Sequence, residues 1–318
     1  MRVDRPIFIV LNAGSGSHDV ETREATIRGV LAQAGRWHDI RRVDNPQQLP
    51  ALAQRAVALA QQQQGIVVAA GGDGTINAVV QAVLNSGLPF GVLPQGTFNY
   101  FSRTHGIPAD TAAATSVLLD ATVCPVQVGL INDRVFLVNA SLGLYPTLLE
   151  DREAYKRQFG RSRFVALCAG VVTLLREHRQ LLIGLEHAGE TRVLRTPTLV
   201  VGNNPLQLKQ LGIPEASAVQ QGQLAAIAVR PISTLAMCWL LLRGALGKLG
   251  EADNVVTFAF ERLTVRPYGR RRIKVAMDGE VAWLNTPLVF QIAPRALQLL
   301  VPAGDLTAST ADTDADAA

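Results

Sequence analysis

Cysteine is scarce in this sequence, and its distribution excludes two kinds of stabilised fold. The three cysteines, Cys124, Cys168 and Cys238, lie far apart among 318 residues. An odd count with no CxxC pair and no clustering with histidine argues against a disulfide framework and against a structural zinc site. The sequence is therefore expected to work in a reducing compartment, the cytoplasm.

Long hydrophobic runs are also missing. The longest apolar stretches, 164–175 and 232–242, fall short of the roughly 20 residues that a membrane-spanning helix needs. The first apolar run, 7–11, has the length of a strand and not of a signal-peptide core. We expect neither a spanning helix nor a targeting segment, although contact with a membrane surface stays open.

Charge is low and nearly balanced. Charged residues make up 18% of the chain and the net charge is +4, which does not suggest a dedicated nucleic-acid binder. Apolar residues make up 48%, enough for a large core, so wholesale disorder is excluded. The length favours about two domains.

The first part of the chain alternates strands with helices. Strand-like runs at 6–11, 39–43, 66–70 and 90–93 are separated by helical segments of about 10–15 residues, which indicates parallel βαβ units. We predict a three-layer, doubly wound α/β domain over residues 1–125. Its glycine-rich turns follow strands and should converge on one crevice.

The pattern of predicted elements changes after Pro125. Short strand-like runs, among them 126–129 and 135–139, alternate with turn residues up to residue 301. We predict a β-sandwich-like second domain over 126–302, with helical insertions at about 160–178 and 232–249 and a last strand that returns to the first domain. The acidic, small-residue stretch 303–318 is expected to be disordered.

The strongest chemical signal is the turn Gly71-Gly72-Asp73-Gly74-Thr75, which follows a β-branched strand and opens a helix. Glycines let backbone N–H groups approach an anion, and the helix N-terminus favours phosphate. A carboxylate inside such a cradle makes sense when a divalent cation lies between it and the phosphate. The alternative is a tight turn in which Asp73 caps the helix.

Three other turns are less specific. Gly96 and Thr97, in the segment 94–101, offer a flexible backbone and a hydroxyl group to a phosphate, while Asn99 suits a helix cap. The turn 12–16 resembles many ordinary turns. The turn Asp278-Gly279-Glu280 is either a solvated hairpin turn or a place where Glu280 faces the crevice as a base.

Together these motifs, in this order and spacing, resemble the diacylglycerol kinase catalytic family, which includes sphingosine kinases and bacterial lipid kinases. The resemblance covers about residues 5–302. It implies an enzyme that transfers phosphate from ATP to a lipid hydroxyl group, of the diacylglycerol or sphingoid-base type, in phospholipid metabolism. It also implies an active site in a cleft between an α/β domain and a β-sandwich.

The resemblance further implies roles for single residues. Asp73 would serve Mg²⁺–ATP, and Glu280 would accept the proton of the substrate hydroxyl with support from Asp278. The nucleotide phosphates would lie against residues in three turns: Asn12, Gly14, Gly16, Gly71, Gly72, Asp73, Gly74, Thr75, Asn77, Gly96 and Thr97.

Two other activities stay open: a soluble small-molecule kinase, such as one acting on NAD, and an inactive ATP-binding regulator. A lipid substrate implies peripheral contact with the inner face of a membrane, through the segments 160–179 or 232–249 and the basic turn Arg270-Arg271-Arg272. No nucleic-acid partner is expected, and a homodimer is one assembly that the sequence allows.

Overall fold

The structure is a computed structural model, and it describes residues 5–14, 20–146, 149 and 180–303. Its strands are β1 (Ile7–Asn12), β2 (His38–Val43), β3 (Ile66–Gly71), β4 (Phe90–Pro94), β5 (Ala121–Val126), β6 (Gly129–Ile131), β7 (Arg134–Phe136), β8 (Asn139–Gly143), β9 (Leu181–His187), β10 (Glu190–Thr196), β11 (Thr198–Gly202), β12 (Leu224–Val229), β13 (Val255–Phe260), β14 (Arg262–Pro267), β15 (Arg272–Met277), β16 (Glu280–Asn285), β17 (Leu288–Ile292) and β18 (Leu297–Pro302). Its α-helices are α1 (Val20–Gln33), α2 (Leu49–Gln62), α3 (Asp73–Val83), α4 (Tyr100–Thr104), α5 (Thr111–Val117), α6 (Pro205–Gln210), α7 (Ala216–Gln220) and α8 (Thr234–Ala245). The predicted helical insertion at 160–178 and the acidic stretch 304–318 lie outside the described residues.

The first sheet has the strand order β2-β1-β3-β4-β18-β5, and β2, β1, β3 and β4 run parallel. Its central strands β3 and β4 are buried at every residue, as expected for parallel strands that are covered on both faces. Helices α2 and α3 contact each other, and α1 contacts α5. The predicted three-layer, doubly wound α/β architecture is confirmed.

The second domain pairs two antiparallel sheets, with strand orders β10-β9-β14-β17-β6-β7 and β13-β12-β11-β8-β15-β16. One continuous apolar core joins them, and it includes Ile183 and Phe290 from one sheet and Val201 and Val275 from the other. Alternate residues of each strand supply this core, as in a sandwich. The predicted β-sandwich-like second domain is confirmed.

Two predicted strands were wrong in their bounds. Residues 126–129 are not one strand, because β5 ends at Val126 and β6 begins at Gly129. Residues 135–139 are likewise divided between β7 and β8. The break falls at Leu137 and Val138, whose backbone N–H groups donate to the carboxylate of Asp278 and not to a neighbouring strand. The strand β16 was missed altogether.

The chain ends its second domain by returning to the first sheet. Strand β18 pairs parallel with β4 and antiparallel with β5, so the first sheet is complete only when the last strand is in place. Three of its side chains, Leu297, Leu299 and Leu300, belong to the core of the first domain. Among the described residues, no helix is both long and apolar enough to cross a membrane.

Replacing Leu299 should destabilise the first domain although it lies in the last strand of the chain. Leu299 is fully buried, and truncating a buried leucine to alanine costs about 2–5 kcal/mol because it leaves a cavity. We expect Leu299→Ala to lower the urea midpoint, and the neighbouring Gln298→Ala, on the less buried face of β18, to leave it nearly unchanged. Equal midpoints for the two variants would show that β18 does not stabilise this sheet.

Candidate functional site

Three turns meet at the carboxyl edge of the first sheet. They follow β1, β3 and β4, which lie side by side in the order β1-β3-β4. The side-chain amide of Asn12 donates to the Thr75 hydroxyl at 2.8 Å, which ties the first turn to the start of α3. The backbone N–H of Gln95 donates to the Gly71 carbonyl at 2.8 Å, which ties the third turn to the second.

The glycines at this edge allow a close approach of two backbones. A Cβ atom at Gly96 would lie 3.1 Å from Cα of Gly72 and 2.7 Å from Oδ1 of Asn99. Any side chain there would separate the two turns. The N-terminal turn of α3 therefore lies beside the backbone of Gly96 with no side chain between them, a geometry that accommodates an anion.

Asn99 acts differently from the predicted helix cap. It lies just before α4 in the left-handed conformation, with φ of 46°, and makes no side-chain capping bond to that helix. Its amide instead donates to the Gly96 carbonyl at 2.9 Å and accepts the Gly96 N–H at 3.0 Å. Asn99 thus fixes the turn that carries Gly96 and Thr97.

Asp73 is the first residue of α3, and Gly72 takes the capping position that sequence reasoning gave Asp73 as an alternative. Its carboxylate oxygen Oδ1 is buried and has no hydrogen-bond partner. Burial, followed by the charge of Asp278, raises the pKa of Asp73 to about 6, although backbone N–H groups from Asn99 to Phe101 oppose the shift. A nearby cation would satisfy this carboxylate.

Asp278 holds the two domains together. One of its carboxylate oxygens accepts the N–H groups of Val138 and Asn139, at 2.8 and 3.0 Å. The other accepts the N–H of Leu137 and the side-chain amide of Asn77, both at 2.7 Å. Burial raises the pKa of Asp278, and these four donors oppose that shift. With both oxygens occupied, Asp278 is suited to position its neighbours.

Asn77 has a related role. Its side-chain amide donates to Asp278 and, at 3.0 Å, to the carbonyl of Val135. Both amide hydrogens are thereby used between α3 and the second domain. These contacts favour a positioning role for Asn77 over the phosphate contact that the family resemblance implies.

The turn between β15 and β16 is a tight two-residue hairpin. Asp278 and Gly279 have φ of 48° and 91°, and Met277 pairs with Glu280 across the turn. Positive φ at both positions is typical of a type I′ turn, for which Asp-Gly is a preferred sequence. The hairpin that we considered as an alternative is therefore present, but its aspartate points inward and is not solvated.

Glu280 extends from this hairpin to the glycine-rich turn that carries Asp73 and Gly74. A Cβ atom at Gly74 would lie 2.6 Å from Oε1 of Glu280, so the missing side chain leaves room for the carboxylate. Taken over all its atoms, Glu280 is exposed to solvent. Partial burial of its carboxylate and the charge of Asp278 nevertheless raise its pKa. Glu280 and the turn that carries Asp73 therefore share one gap between the domains.

The other proposed phosphate-binding residues lie around this gap. Gly71 and Thr75 are buried, Gly72 and Gly74 are half-buried, and Thr97 is exposed at the rim. Gly14 donates its N–H to Asn12 at 3.0 Å. Gly16 lies outside the described residues. Within those residues, no group of three or more His, Cys, Asp or Glu side chains is arranged to hold a metal ion.

Comparisons with known proteins agree with this geometry. Residues 6–131 match the model of the family described as the diacylglycerol kinase catalytic domain. The resemblance to the diacylglycerol kinase catalytic family is confirmed. The matched segment spans the first sheet except β18, and it includes all three glycine-rich turns.

Similar proteins from two bacteria extend the match beyond the first domain. A Staphylococcus aureus protein (strain Mu3) named "Putative lipid kinase" is 28% identical over 242 residues, which cover 72% of this chain and 75% of that protein. An "Uncharacterized protein" of Synechocystis sp. (strain PCC 6803) is 28% identical over 251 residues, which cover 74% of this chain but 54% of that protein. The match thus spans about half the length of the cyanobacterial relative.

Solved structures share the fold over nearly the whole chain. A crystal structure titled as a putative diacylglycerol kinase from Bacillus anthracis superimposes with a TM-score of 0.73 and 20% identity, and covers 95% of this chain and 99% of that one. A second, titled as a diacylglycerol kinase from the same organism, has a TM-score of 0.67 and 19% identity, covering 94% and 97%. These structures therefore share the fold of both domains.

The raised pKa of Asp73 predicts an unusual dependence of stability on pH. The carboxyl group titrates near 3.8 when unfolded and near 6 when folded, so the folded protein is stabilised by its neutral form. That stability is complete below about pH 4 and is lost as the pH rises through 6. We expect Asp73→Asn to gain up to about 2 kcal/mol of unfolding free energy at pH 7, and nothing at pH 4.

Urea titrations at several pH values would measure this difference. Asp133→Asn, on the exposed turn between β6 and β7, is the matched control and should change the midpoint little at any pH. A loss of stability in Asp73→Asn at pH 7 would contradict the assignment of Asp73 as a destabilising buried charge.

Proposed function

We propose that this chain is an ATP-dependent lipid kinase that transfers the γ-phosphate of ATP to a lipid hydroxyl group, of the diacylglycerol or sphingoid-base type. The observation that carries the proposal is the contact between Glu280 and Gly74. It brings a carboxylate from the second domain to the turn that suits a phosphate.

The first domain would bind the nucleotide. The start of α3 beside Gly72 would present N–H groups and a helix dipole to the phosphates, and the missing side chain of Gly96 would leave room for them. Thr75 and Asn12 hold each other at 2.8 Å and so fix the neighbouring turns. Positioning of this kind supplies most of the catalysis in phosphoryl transfer.

Magnesium fits the site through Asp73. The buried Oδ1 of Asp73 accepts no hydrogen bond, and a divalent cation beside it would satisfy this oxygen. Asp73 would hold the ion together with the nucleotide phosphates, since no other described carboxylate completes a metal cluster. When bound, Mg²⁺ would neutralise charge that develops on the transferred phosphoryl group.

Glu280 would act as the general base. The acceptor oxygen forms a bond to the γ-phosphorus, the bond from that phosphorus to the β–γ bridging oxygen breaks, and ADP leaves. The hydroxyl proton passes to Glu280. Its pKa is raised by partial burial and by Asp278, and a carboxylate with a raised pKa accepts protons more readily near neutrality. Asp278 would position the hairpin that carries Glu280.

An apolar cavity in the second domain supports a lipid over a small polar acceptor. It has a volume of about 320 Å³ and lies between α8 and the outer face of the sheet that carries β11 and β12. Its lining is almost entirely hydrophobic and includes Leu144, Val200, Ile227, Met237 and Leu249. An acyl or alkyl chain would gain free energy by entering it, whereas a polar acceptor such as NAD would not.

A panel assay with γ-radiolabelled ATP tests the proposal directly. We expect transfer to a lipid with a free hydroxyl group and none to NAD. Asp73→Asn should lose nearly all activity while being more stable than the parent at pH 7, which separates loss of function from unfolding. Full turnover by Asp73→Asn would remove the metal-anchoring role, and transfer to NAD alone would replace the lipid with a soluble acceptor.

Replacing the proposed base should affect chemistry and not lipid binding. We expect Glu280→Gln to lower kcat by roughly 10²–10⁴-fold with little change in the lipid KM, because glutamine keeps the shape but cannot accept the proton. Steady-state kinetics at saturating ATP would measure both constants. Gln62→Ala, at the exposed C-terminal end of α2, is a control outside the cleft. A rise in KM alone would make Glu280 a binding residue.

A further inference from the structure

The outward face of the β15–β16 hairpin carries basic and aromatic side chains that have no role in the proposed reaction. Residues Ile273, Val275 and Met277 of β15 point into the sandwich core, so the residues between them face the other way. The positions on that outward face are Arg272, Lys274, Ala276, Val281, Trp283 and Asn285. Two of these are basic, one is tryptophan, and none is acidic.

Trp283 lies at the centre of this face. It is 53% exposed, on the edge strand of its sheet. The guanidinium carbon of Arg272 lies 5.9 Å from its ring centroid and the Lys274 ammonium 5.5 Å, both within the range of cation–π contacts. The ring is thus flanked by cations and still open to solvent.

Two more exposed arginines, Arg270 and Arg271, lie on the turn just before β15. Within the described part of the chain, no carboxylate forms an ion pair with Arg270, Arg271 or Arg272. We call the set formed by Arg270, Arg271, Arg272, Lys274 and Trp283 the Trp283 patch. It concentrates positive charge on a protein whose net charge is only +4.

We propose that the Trp283 patch docks on an anionic membrane surface. The arginines would attract the negative headgroups, and the amphipathic indole ring would enter the interface, where tryptophan is enriched. The need for docking rests on the proposed function, because only an acceptor held in a bilayer requires it. Glu280 begins the strand that carries Trp283, so docking would place the bilayer about 10 Å along the strand from the proposed base.

Other occupants fit the patch less well. Single-stranded nucleic acid is bound by several successive aromatic platforms along a basic groove, whereas this face offers one ring on a flat edge strand. Helix α8 also exposes a tryptophan, Trp239, but its Arg243 lies 3.5 Å from Glu251 and is not free to attract lipid headgroups.

Co-sedimentation of the full-length chain with vesicles tests the docking. The vesicles contain phosphatidylcholine alone or with 30% phosphatidylglycerol as the probe, without nucleotide or acceptor lipid, so the result does not depend on kinase activity. We expect binding to the anionic vesicles only, weakened by 0.5 M salt. Each arginine near the surface contributes about fivefold, so the triple variant with Arg270, Arg271 and Arg272 changed to Gln should bind on the order of 100-fold more weakly.

Further variants keep the test decisive. We expect Trp283→Ala to bind roughly tenfold more weakly. The matched control, Arg192→Gln with Arg195→Gln on the edge strand β10, should bind as the parent does, and thermal melting checks that each variant is folded. The proposal is overturned if anionic vesicles bind no protein at low salt, if the folded triple and Trp283 variants bind like the parent, if Trp239→Ala alone abolishes binding, or if labelled single-stranded RNA binds the patch while vesicles do not.

Discussion

The buried carboxylate of Asp278 is the contact on which the arrangement of this protein depends. It accepts four N–H donors, three from the backbone at 137–139 and one from Asn77 of the first domain. A buried carboxylate without such donors would be strongly unfavourable, so the donors and the acid require one another. Because the donors come from both domains, one side chain sets how the β15–β16 hairpin lies against α3.

The geometry of the candidate site follows from that contact. The hairpin turn places Asp278 inward and Glu280 two residues later, where it occupies the space left open above Gly74. Asp73 sits at the start of α3, within the field of Asp278, and its pKa rises partly for that reason. The charge of Asp278 likewise raises the pKa of Glu280, so Asp278 repels both other carboxylates. Such an arrangement is costly for stability and is typical of a site that binds a cation or transfers a proton.

Completion of the fold also links the two domains. The last strand, β18, lies between β4 and β5 of the first sheet, so the chain must pass through the second domain before the first is finished. The glycine-rich turns of the first domain are therefore held against the second-domain hairpin in two ways. The last strand, β18, joins the first sheet, and Asn77 donates a hydrogen bond to Asp278. A reaction that depends on in-line positioning would benefit from such a fixed arrangement.

Local pattern in the sequence was enough for the four parallel strands of the first domain, although it missed β5. The alternation of buried strands and helices predicted the parallel sheet, and the glycine turns after β1, β3 and β4 predicted a shared edge, because strand polarity and side-chain period are local properties. Only the tertiary structure decided the rest. The break between β7 and β8, the inward turn of Asp278 and the contact of Glu280 with Gly74 all depend on groups more than 100 residues apart in the chain. No local pattern in the sequence encodes such contacts, since they arise from the burial of one charge against distant donors.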